Sequence, residues 1–502
     1  MTLDGQAQTI QALVRAFPPG TENSELALVR AMVDYIQGRL DESAAHLAVA
    51  EAHAELAPQD RQRRLRVAIA AVRLSLARRS GHLASVLEQT ECLSSPVTGP
   101  SEEDIALDSD LRALALLNLG TAEAWSLGLP DAERHLREGA ELARKIGRTY
   151  LEVGCLAQLG FASKIHPVAT TQARCREAIT LAERYGWGSE WVIAPALLTL
   201  AAAVIWTGDL NQGEQWLQRA EQALQADTGP DIRLLMHIVS GMLQAGRGRL
   251  HEAFEEFNAA ERLRRQLVGS HALASKVTAW TLATQARLGM PGQARAALAA
   301  LDDERASSGE IANAAAAIAL AEGDPAAALR ALQDVLDGRA PVFSYLTVIE
   351  TQLLAGLAHR ELGDQRAANQ AAERALVLAE PDRPVLAFLM TGCRELLEAL
   401  PQHETAHGVL LTDILDVMRG AFPAAHGQSC SPPAEQLSPG ELRVLRYLPT
   451  NLSRPEIAGE LSVSVNTVNT QVRSIYAKLQ ARDRTSAVQR ARELRLLADH
   501  AR

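Results

Sequence analysis

In this 502-residue chain, the most informative segment for the fold lies near the C-terminus. It spans residues 453–479, SRPEIAGELSVSVNTVNTQVRSIYAKL. Ser453 and Glu456 have the spacing of a capping box, which predicts the start of a helix. After a tight turn, Ser464 is expected to cap a second helix that runs to about Leu479. The apolar residues of this second helix recur at helical spacing: Val468, Val472, Ile475 and Leu479. Two short helices joined by a tight turn predict a helix-turn-helix unit.

Further helices flank this unit. Ser438 and Glu441 form a second capping-box pattern, with a proline at the first helical position between them. A last helix is predicted over Arg484–Leu496. Residues 437–502 are therefore expected to form a small four-helix domain. The preceding stretch 421–436, AFPAAHGQSCSPPAEQ, is rich in Pro, Ser, Gly and Ala without helical periodicity, which predicts a flexible linker.

The outward face of the second helix carries side chains that can bond base edges in a major groove: Asn466, Asn469, Thr470 and Arg473. Groups that can contact phosphates surround them: Ser464, Thr467, Lys478, Arg482 and Arg484. Residues 437–502 contain 11 Arg and Lys against 6 Asp and Glu, whereas the rest of the chain contains 39 against 54. A basic domain attached to an acidic body is the pattern expected when one end of a chain meets double-stranded DNA.

These segments closely resemble the LuxR-type DNA-binding domain (NarL- and MalT-like), through LSPGELRVLRYL, NLSRPEIAGELSVSVNTVNTQVRSIYAKL and DRTSAVQRARELRLL. The resemblance implies a transcription regulator that binds DNA as a homodimer, with RNA polymerase as a possible partner. It implies base contacts at three of the positions named above, Asn469, Thr470 and Arg473. It also implies a dimer contact on the last helix, with Val488 and Ala491 as candidates. The family usually has Lys where this chain has Asn469 and His where it has Gln471, which implies an altered base preference.

Residues 1–420 predict a helical repeat whose units are marked by glycines. A long helical run ends in Gly, a few residues follow, and a small residue lies five positions after the Gly in the next helix. These glycines are Gly38, Gly208, Gly248, Gly289, Gly323 and Gly363, with a related turn at Gly128. From Gly208 their spacings are 40, 41, 34 and 40 residues, the length of a two-helix unit. Glycine suits the left-handed residue that ends a helix, and a small residue lets two helices approach closely.

The units resemble tetratricopeptide repeats, although an irregular helical array remains an alternative. Such units must stack into a superhelix with a concave surface. The fold class predicted is all-α: a tetratricopeptide-like helical-repeat solenoid followed by a four-helix LuxR-type helix-turn-helix domain. This order also resembles the C-terminal part of the large ATP-binding LuxR regulators. However, the chain contains no G-x-x-x-x-G-K-[ST] motif, so we expect no ATPase, no other enzyme activity and no cofactor.

Four of the six tryptophans, Trp187, Trp191, Trp206 and Trp216, fall within 30 residues. They could stack a small ligand or anchor a partner on the concave surface. Packing in the core is the alternative, and it is favoured because a repeat of small residues needs bulky side chains between its layers. We expect the repeat domain to sense a ligand or a partner protein. The competing hypothesis is a scaffolding protein whose C-terminal domain serves mainly for dimerisation.

Other features bear on location and metal binding. Five scattered cysteines without a C-x-x-C pair favour a reducing cytoplasm over a disulfide framework or a zinc site. His403 and His407 have helical spacing but no third ligand, so no metal is expected. The apolar segment Trp191–Trp206 is too short for a membrane span and contains Pro195, which favours a buried helix. The start of the sequence lacks the pattern of a signal peptide, so we expect a cytoplasmic, nucleoid-associated protein without membrane contact.

Overall fold

The computed structural model describes residues 7–17, 23–37, 39–79, 102–126, 129–163, 167–224, 229–265, 273–302, 306–400, 405, 407–419, 437–449, 452–461, 463–479, 481 and 483–493. Regular structure within these residues is helical, without strands, which confirms the all-α prediction. The linker 421–436, Gly38, Gly128, His403 and Arg482 lie outside the described residues. None of the described helices is long and apolar enough to cross a membrane.

The described helices before residue 190 are α1 (Ala7–Arg15), α2 (Ser24–Ile36), α3 (Leu40–Ala52), α4 (Gln59–Arg79), α5 (Glu102–Trp125), α6 (Leu129–Lys145), α7 (Thr149–Ala162) and α8 (Val168–Arg184). The glycine-marked units follow as α9 (Ala194–Trp206) with α10 (Leu210–Ala223), α11 (Pro230–Gly246) with α12 (Leu250–Arg264), α13 (Ala274–Arg287) with α14 (Pro291–Ala299), α15 (Gly309–Ala321) with α16 (Pro325–Leu336), and α17 (Tyr345–Glu361) with α18 (Gln365–Ala379). Next come α19 (Val385–Thr391), α20 (Arg394–Glu398) and α21 (Gly408–Met418). The two-helix repeat predicted from the glycine spacing is confirmed.

The glycines between paired helices adopt the predicted left-handed conformation. Their φ values lie between 74° and 91° at Gly208, Gly248, Gly289, Gly323 and Gly363. The small residues five positions later are buried: Ser43, Gly213, Ala253, Ala294, Ala328 and Ala368. At Gly213 a Cβ atom would lie 2.3 Å from Cγ1 of Ile205, so only glycine fits without a shift of the neighbouring helix. Close approach within each unit therefore depends on residue size at this position.

First helices of neighbouring units pack on one another and form the inner face of the solenoid: α9 packs on α11, α13 on α15, and α15 on α17. Between the second and third of these units, α13 packs on α12. The short helix α19 crosses back to contact α9 and α11. Its position is held by two long-range hydrogen bonds. Asp382 Oδ1 accepts from the Val168 backbone N–H at 3.1 Å, and the Met390 carbonyl accepts from Arg287 Nη1 at 2.5 Å. Late and early units are thereby joined across the inner face.

The segment Trp191–Trp206 lies inside this helical array, as predicted. A short 3-10 turn, Trp191–Ile193, leads into α9, and Pro195 occupies the first turn of that helix. Proline is tolerated there because the N–H it lacks would have no partner within the helix. Eleven residues of α9 are buried. The apolar character of the segment is therefore explained by contacts on nearly all sides within the solenoid.

Candidate nucleic-acid interface

Four helices form the C-terminal domain: α22 (Pro439–Leu445), α23 (Arg454–Glu460), α24 (Val465–Lys478) and α25 (Arg484–Glu493). Both predicted capping boxes are present. Ser438 N–H donates to Glu441 Oε2 at 2.6 Å, and Ser453 N–H donates to Glu456 Oε2 at 2.7 Å. These bonds satisfy backbone donors that a helix start leaves without partners.

The turn between α23 and α24 is closed by a hydrogen bond from Val463 N–H to the Ala458 carbonyl at 3.0 Å. The predicted inward residues of the following helix are at most 1% exposed: Val468, Val472, Ile475 and Leu479. They belong to a core cluster formed by residues of this domain alone. Burial of this stripe fixes the rotation of α24, so the polar stripe on the opposite side must face outward.

That outward stripe carries the predicted base-reading residues. Asn466, Thr470 and Arg473 are exposed, and Asn469 is partly exposed. Asn469, Thr470 and Arg473 follow Asn466 by three, four and seven residues, so all four lie on one face of the helix. Thr470 Oγ1 donates to the Asn466 carbonyl at 2.9 Å, which uses the hydroxyl proton within the helix. Arg473 has no ion-pair partner among the described residues, so its guanidinium can meet a ligand.

Asn469 is held from outside its own helix. Arg454, at the first position of α23, donates from Nη1 to Asn469 Oδ1 at 3.1 Å. At the start of α24, Ser464 Oγ accepts from Thr467 N–H at 3.0 Å and lies 2.7 Å from Thr467 Oγ1. Both hydroxyls are exposed beside the helix N-terminus, where backbone N–H groups favour an anion. Their phosphate contacts stay predictions.

Comparison with known proteins supports this geometry. Residues 435–491 match the family model "Bacterial regulatory proteins, luxR family". These residues form a LuxR-family helix-turn-helix domain. The chain is also 33% identical over 143 residues to "Probable transcriptional regulatory protein NarL" of Mycobacterium tuberculosis, in a match that covers 25% of this chain. The chain spans 61% of the length of that relative.

Solved structures resemble the helical-repeat part. A Rap protein complexed with Competence and Sporulation Factor superposes with a TM-score of 0.51 at 12% identity, covering 73% of this chain and 99% of that one. A structure of NprR with its cognate peptide NprX gives a TM-score of 0.45 at 10% identity, covering 72% of this chain and 100% of the other. At such identities the first likeness shows a shared tetratricopeptide-like fold alone.

Two residues of the LuxR-family domain predicted to contact phosphate have partners within the domain. Lys478 Nζ donates to Glu441 Oε2 at 2.9 Å, with both side chains largely buried. Burial would raise the pKa of Glu441, but hydrogen bonds from Ser474, Ser438 and Lys478 outweigh it and lower the pKa to about 2. Lys478 therefore ties the end of α24 to the start of α22.

Arg484 is the second of these residues. Its guanidinium donates to three backbone carbonyls, those of Leu448 at 2.7 Å, Leu452 at 2.8 Å and Tyr447 at 3.2 Å. These carbonyls lie after α22, where a helix end leaves acceptors without partners. With three of its five donors used in this way, Arg484 fastens α25 to the rest of the LuxR-family domain, and its phosphate contact stays a prediction.

The predicted dimer contact also changes. Ala491 is fully buried in the core of the domain, because Ala487 and Ala491 share the inward face of α25. Val488 is partly exposed and packs against the same core. Ala491 is therefore a core residue of its own domain, and Val488 alone stays a candidate for the dimer contact.

The four clustered tryptophans do not form one surface. Trp187 stacks on Tyr185 with ring centroids 5.0 Å apart, whereas Trp191 meets Tyr35 edge-on at 6.1 Å. Trp216 is partly buried against the core, and the guanidinium of Arg219 lies over its ring. Trp206 lies 5.9 Å from Trp280, a residue that sequence reasoning missed because it is 74 positions away. Packing thus explains most of the cluster, and Trp206 and Trp280 also line a cavity.

Two adjoining cavities lie on the inner face of the repeat domain and share Trp280. The first, of about 130 Å³, is apolar and is lined by Trp206, Trp280 and Phe343 among others. The second, of about 530 Å³, runs along α13, α15 and α17. Beside Trp280, Lys276 Nζ donates to Glu350 Oε2 at 2.8 Å in a fully buried ion pair that joins α13 to α17.

The larger cavity is lined by one arginine, Arg287. Arg287 lies seven residues beyond Trp280 on α13, about 10 Å along the helix. Its guanidinium donates to the Met390 carbonyl but has no carboxylate partner among the described residues. Surrounding protein limits its hydration and lowers its pKa from the ordinary value. Glu310, Glu350 and Glu361 also line this cavity, so it can take a ligand that carries an apolar group together with hydrogen-bonding groups of either charge.

Proposed function

We propose that this protein is a sequence-specific DNA-binding transcription regulator without enzyme activity. The observation that carries the proposal is the exposed stripe Asn466, Asn469, Thr470 and Arg473 on the second helix of a LuxR-family helix-turn-helix. A helix presented in this way fits the major groove, where amide and guanidinium groups discriminate base edges. The local excess of Arg and Lys over residues 437–502 supplies attraction to the phosphate backbone.

The organisation we propose has three parts: a sensing domain over residues 1–420, a linker over 421–436 and the DNA-binding domain over 437–502. We place the protein in the cytoplasm with the nucleoid and propose that it binds DNA as a homodimer. Val488 on α25 supports such pairing because it is partly exposed. RNA polymerase is the partner that a transcription activator of this kind would recruit.

We propose that the effector of the repeat domain binds in the two cavities that share Trp280. Their combination of an aromatic pocket with Arg287 and a few carboxylates is typical of ligand sites, in which mostly apolar walls carry a few polar groups. The Rap protein with a similar fold was solved with a bound factor, which makes sensing by such a domain reasonable. Ligands can be screened by the rise in unfolding temperature of the full chain. A true effector raises it in the wild type and not in Arg287→Glu.

DNA binding is tested by selection from a randomised duplex library with the full chain. We expect the wild type to enrich one sequence motif. The triple variant Asn466→Ala, Asn469→Ala, Arg473→Ala should retain weak, salt-sensitive binding but enrich no motif, since base contacts carry the sequence information. Arg443→Ala is the matched control, because Arg443 is an exposed arginine of the same domain on α22. Equal enrichment by the wild type and the triple variant would contradict the proposal.

A further inference from the structure

The hydrogen bond between Arg454 and Asn469 fixes which way the Asn469 amide faces. Arg454 Nη1 lies 3.1 Å from Asn469 Oδ1. A guanidinium carries only donors, so the amide atom that faces it must be the carbonyl oxygen. The amide NH₂ of Asn469 therefore faces away from Arg454. Within the outward stripe of α24, Asn469 is presented as a hydrogen-bond donor.

This orientation matters because asparagine ordinarily reads adenine with both ends of its amide. Adenine presents the N6 amino donor and the N7 acceptor in the major groove, which match Oδ1 and Nδ2 of an unrestrained Asn. Guanine presents two acceptors, N7 and O6. Oδ1 has two lone pairs and Arg454 takes one, so the N6 amino group of adenine would have to share this oxygen with a guanidinium whose positive charge repels it. Guanine needs only the NH₂ group, from which it can accept without that repulsion.

We infer that Arg454 is a positioning residue for base recognition, and that it converts Asn469 from an adenine-reading into a guanine-reading side chain. The inference rests on the proposed function, in which α24 enters the major groove. Arg454 itself belongs to the preceding helix, so specificity would depend on a residue outside the recognition helix.

The backbone around Arg454 is suited to this task. Arg454 directly follows Ser453, whose capping box with Glu456 fixes the start of α23, and Pro455 comes next. The main chain at this point therefore has little freedom. In water a single exposed hydrogen bond is weak, but displacement of water from the groove on binding strengthens it. The hydrogen bond from Arg454 therefore restrains the Asn469 amide most strongly when α24 lies in the major groove.

The test is selection from a randomised duplex library by the full-length protein and four variants. Asn469→Ala identifies the base pair that Asn469 reads, as the position at which preference is lost. At that position we expect guanine with the wild type. Arg454→Met removes the donor but keeps the side-chain length, and it should move the ratio of affinities for guanine and adenine about tenfold toward adenine.

Two controls accompany this variant. Arg454→Lys should keep the guanine preference, because an ammonium group also donates and cannot accept. Arg443→Met removes the same charge from the same domain and should leave preference unchanged. Thermal unfolding of each protein shows that all are equally folded, which is expected because Arg454 is exposed.

The inference is overturned if Arg454→Met weakens all sequences equally, which would make Arg454 a phosphate contact, or if the wild type prefers adenine at the position of Asn469. A wild type that enriches no motif would contradict the proposed function itself. If instead the wild type enriches a motif and Arg454→Met leaves that motif unaltered, the proposed function stands and only the inference about Arg454 is overturned.

Discussion

Arg473 lies on the exposed stripe of α24 and has no ion-pair partner among the described residues. We predict that it reads guanine through the O6 and N7 atoms. Arg473→Ala should then lower affinity by about 1–3 kcal/mol for the preferred base at one position and by little elsewhere. Competition binding with single-base variants of the selected duplex measures this. A uniform loss across all bases would instead make Arg473 a phosphate contact.

Glu441 is the residue whose charge should stabilise the LuxR-family domain. Its folded pKa of about 2 lies below the ordinary value of 4.5. A carboxyl group whose pKa is lowered by folding stabilises the folded state. This stabilisation is complete when the pH is above the ordinary pKa, and it is lost as the pH falls toward the pKa of the folded state. We predict that Glu441→Gln lowers the free energy of unfolding of the domain at neutral pH by about 1–3 kcal/mol.

Denaturant unfolding of wild type and Glu441→Gln between pH 7 and pH 2 checks this prediction. The difference between the two proteins should be constant down to a pH near 4.5 and shrink below it. A difference that grows in acid would mean that the lowered pKa of Glu441 has been misjudged. Glu456→Gln is a milder control, because that capping glutamate is exposed.

Residues whose partners are close in sequence could be predicted from the sequence. Capping boxes join residues three apart, and the inward stripe of α24 follows from helical spacing, so both were correct. The contacts that Lys478 and Arg484 make within the domain could not be predicted, since a basic side chain beside a recognition helix indicates only a DNA contact. Their acceptors lie 37 and 36 residues away along the chain, which no local pattern reveals.

At the scale of elements, Arg484 should matter through the docking of α25. Arg484→Ala leaves three carbonyls without their donor, so we predict a loss of about 2–3 kcal/mol in the stability of the C-terminal domain. The salt dependence of DNA binding by the folded protein should keep its slope, since no phosphate contact is lost. If Arg484→Ala lowers the slope of log K against log salt by about one charge and leaves the stability of the domain unchanged, Arg484 contacts phosphate as the sequence predicts.

Gly248, in the turn that follows α11, offers an element-scale test of the repeat. Gly248 has φ of 74° and open space around its Cβ position, so Gly248→Ala costs only backbone strain. We predict a destabilisation of about 1–2 kcal/mol. Gly292→Ala is the matched control, because that glycine lies in the first turn of α14 with open space and an ordinary φ, where alanine favours the helix. Unfolding midpoints in urea should therefore move in opposite directions, and equal shifts would contradict the prediction.

The units of the repeat were visible in the sequence because each one has its own turn and its own small residue. The path of α19 could not be predicted from the sequence, since its contacts with α9 and α11 join residues far apart in the chain. Nor could the pairing of Trp206 with Trp280, because the inner face collects one helix from each unit. Local periodicity predicts the elements of a solenoid, whereas its inner surface depends on how the units stack.

For the whole molecule, the charge distribution separates two roles. Residues 437–502 have a net charge of +5 from 11 basic and 6 acidic side chains, within a chain of net −10. The acidic remainder repels DNA, so the C-terminal domain is expected to make the contacts with phosphate. We therefore expect overall affinity to depend on a small basic surface, and sequence preference to depend on the α24 stripe together with Arg454.

The most direct test of this account is the affinity of the full-length protein for its selected duplex, measured against salt concentration. Counterion release predicts that log K falls linearly with log salt, with a slope of about −0.9 per phosphate neutralised. The triple variant Asn466→Ala, Asn469→Ala, Arg473→Ala should bind the selected duplex no better than a scrambled one. An affinity for duplex DNA that is unchanged from low to high salt would contradict the account.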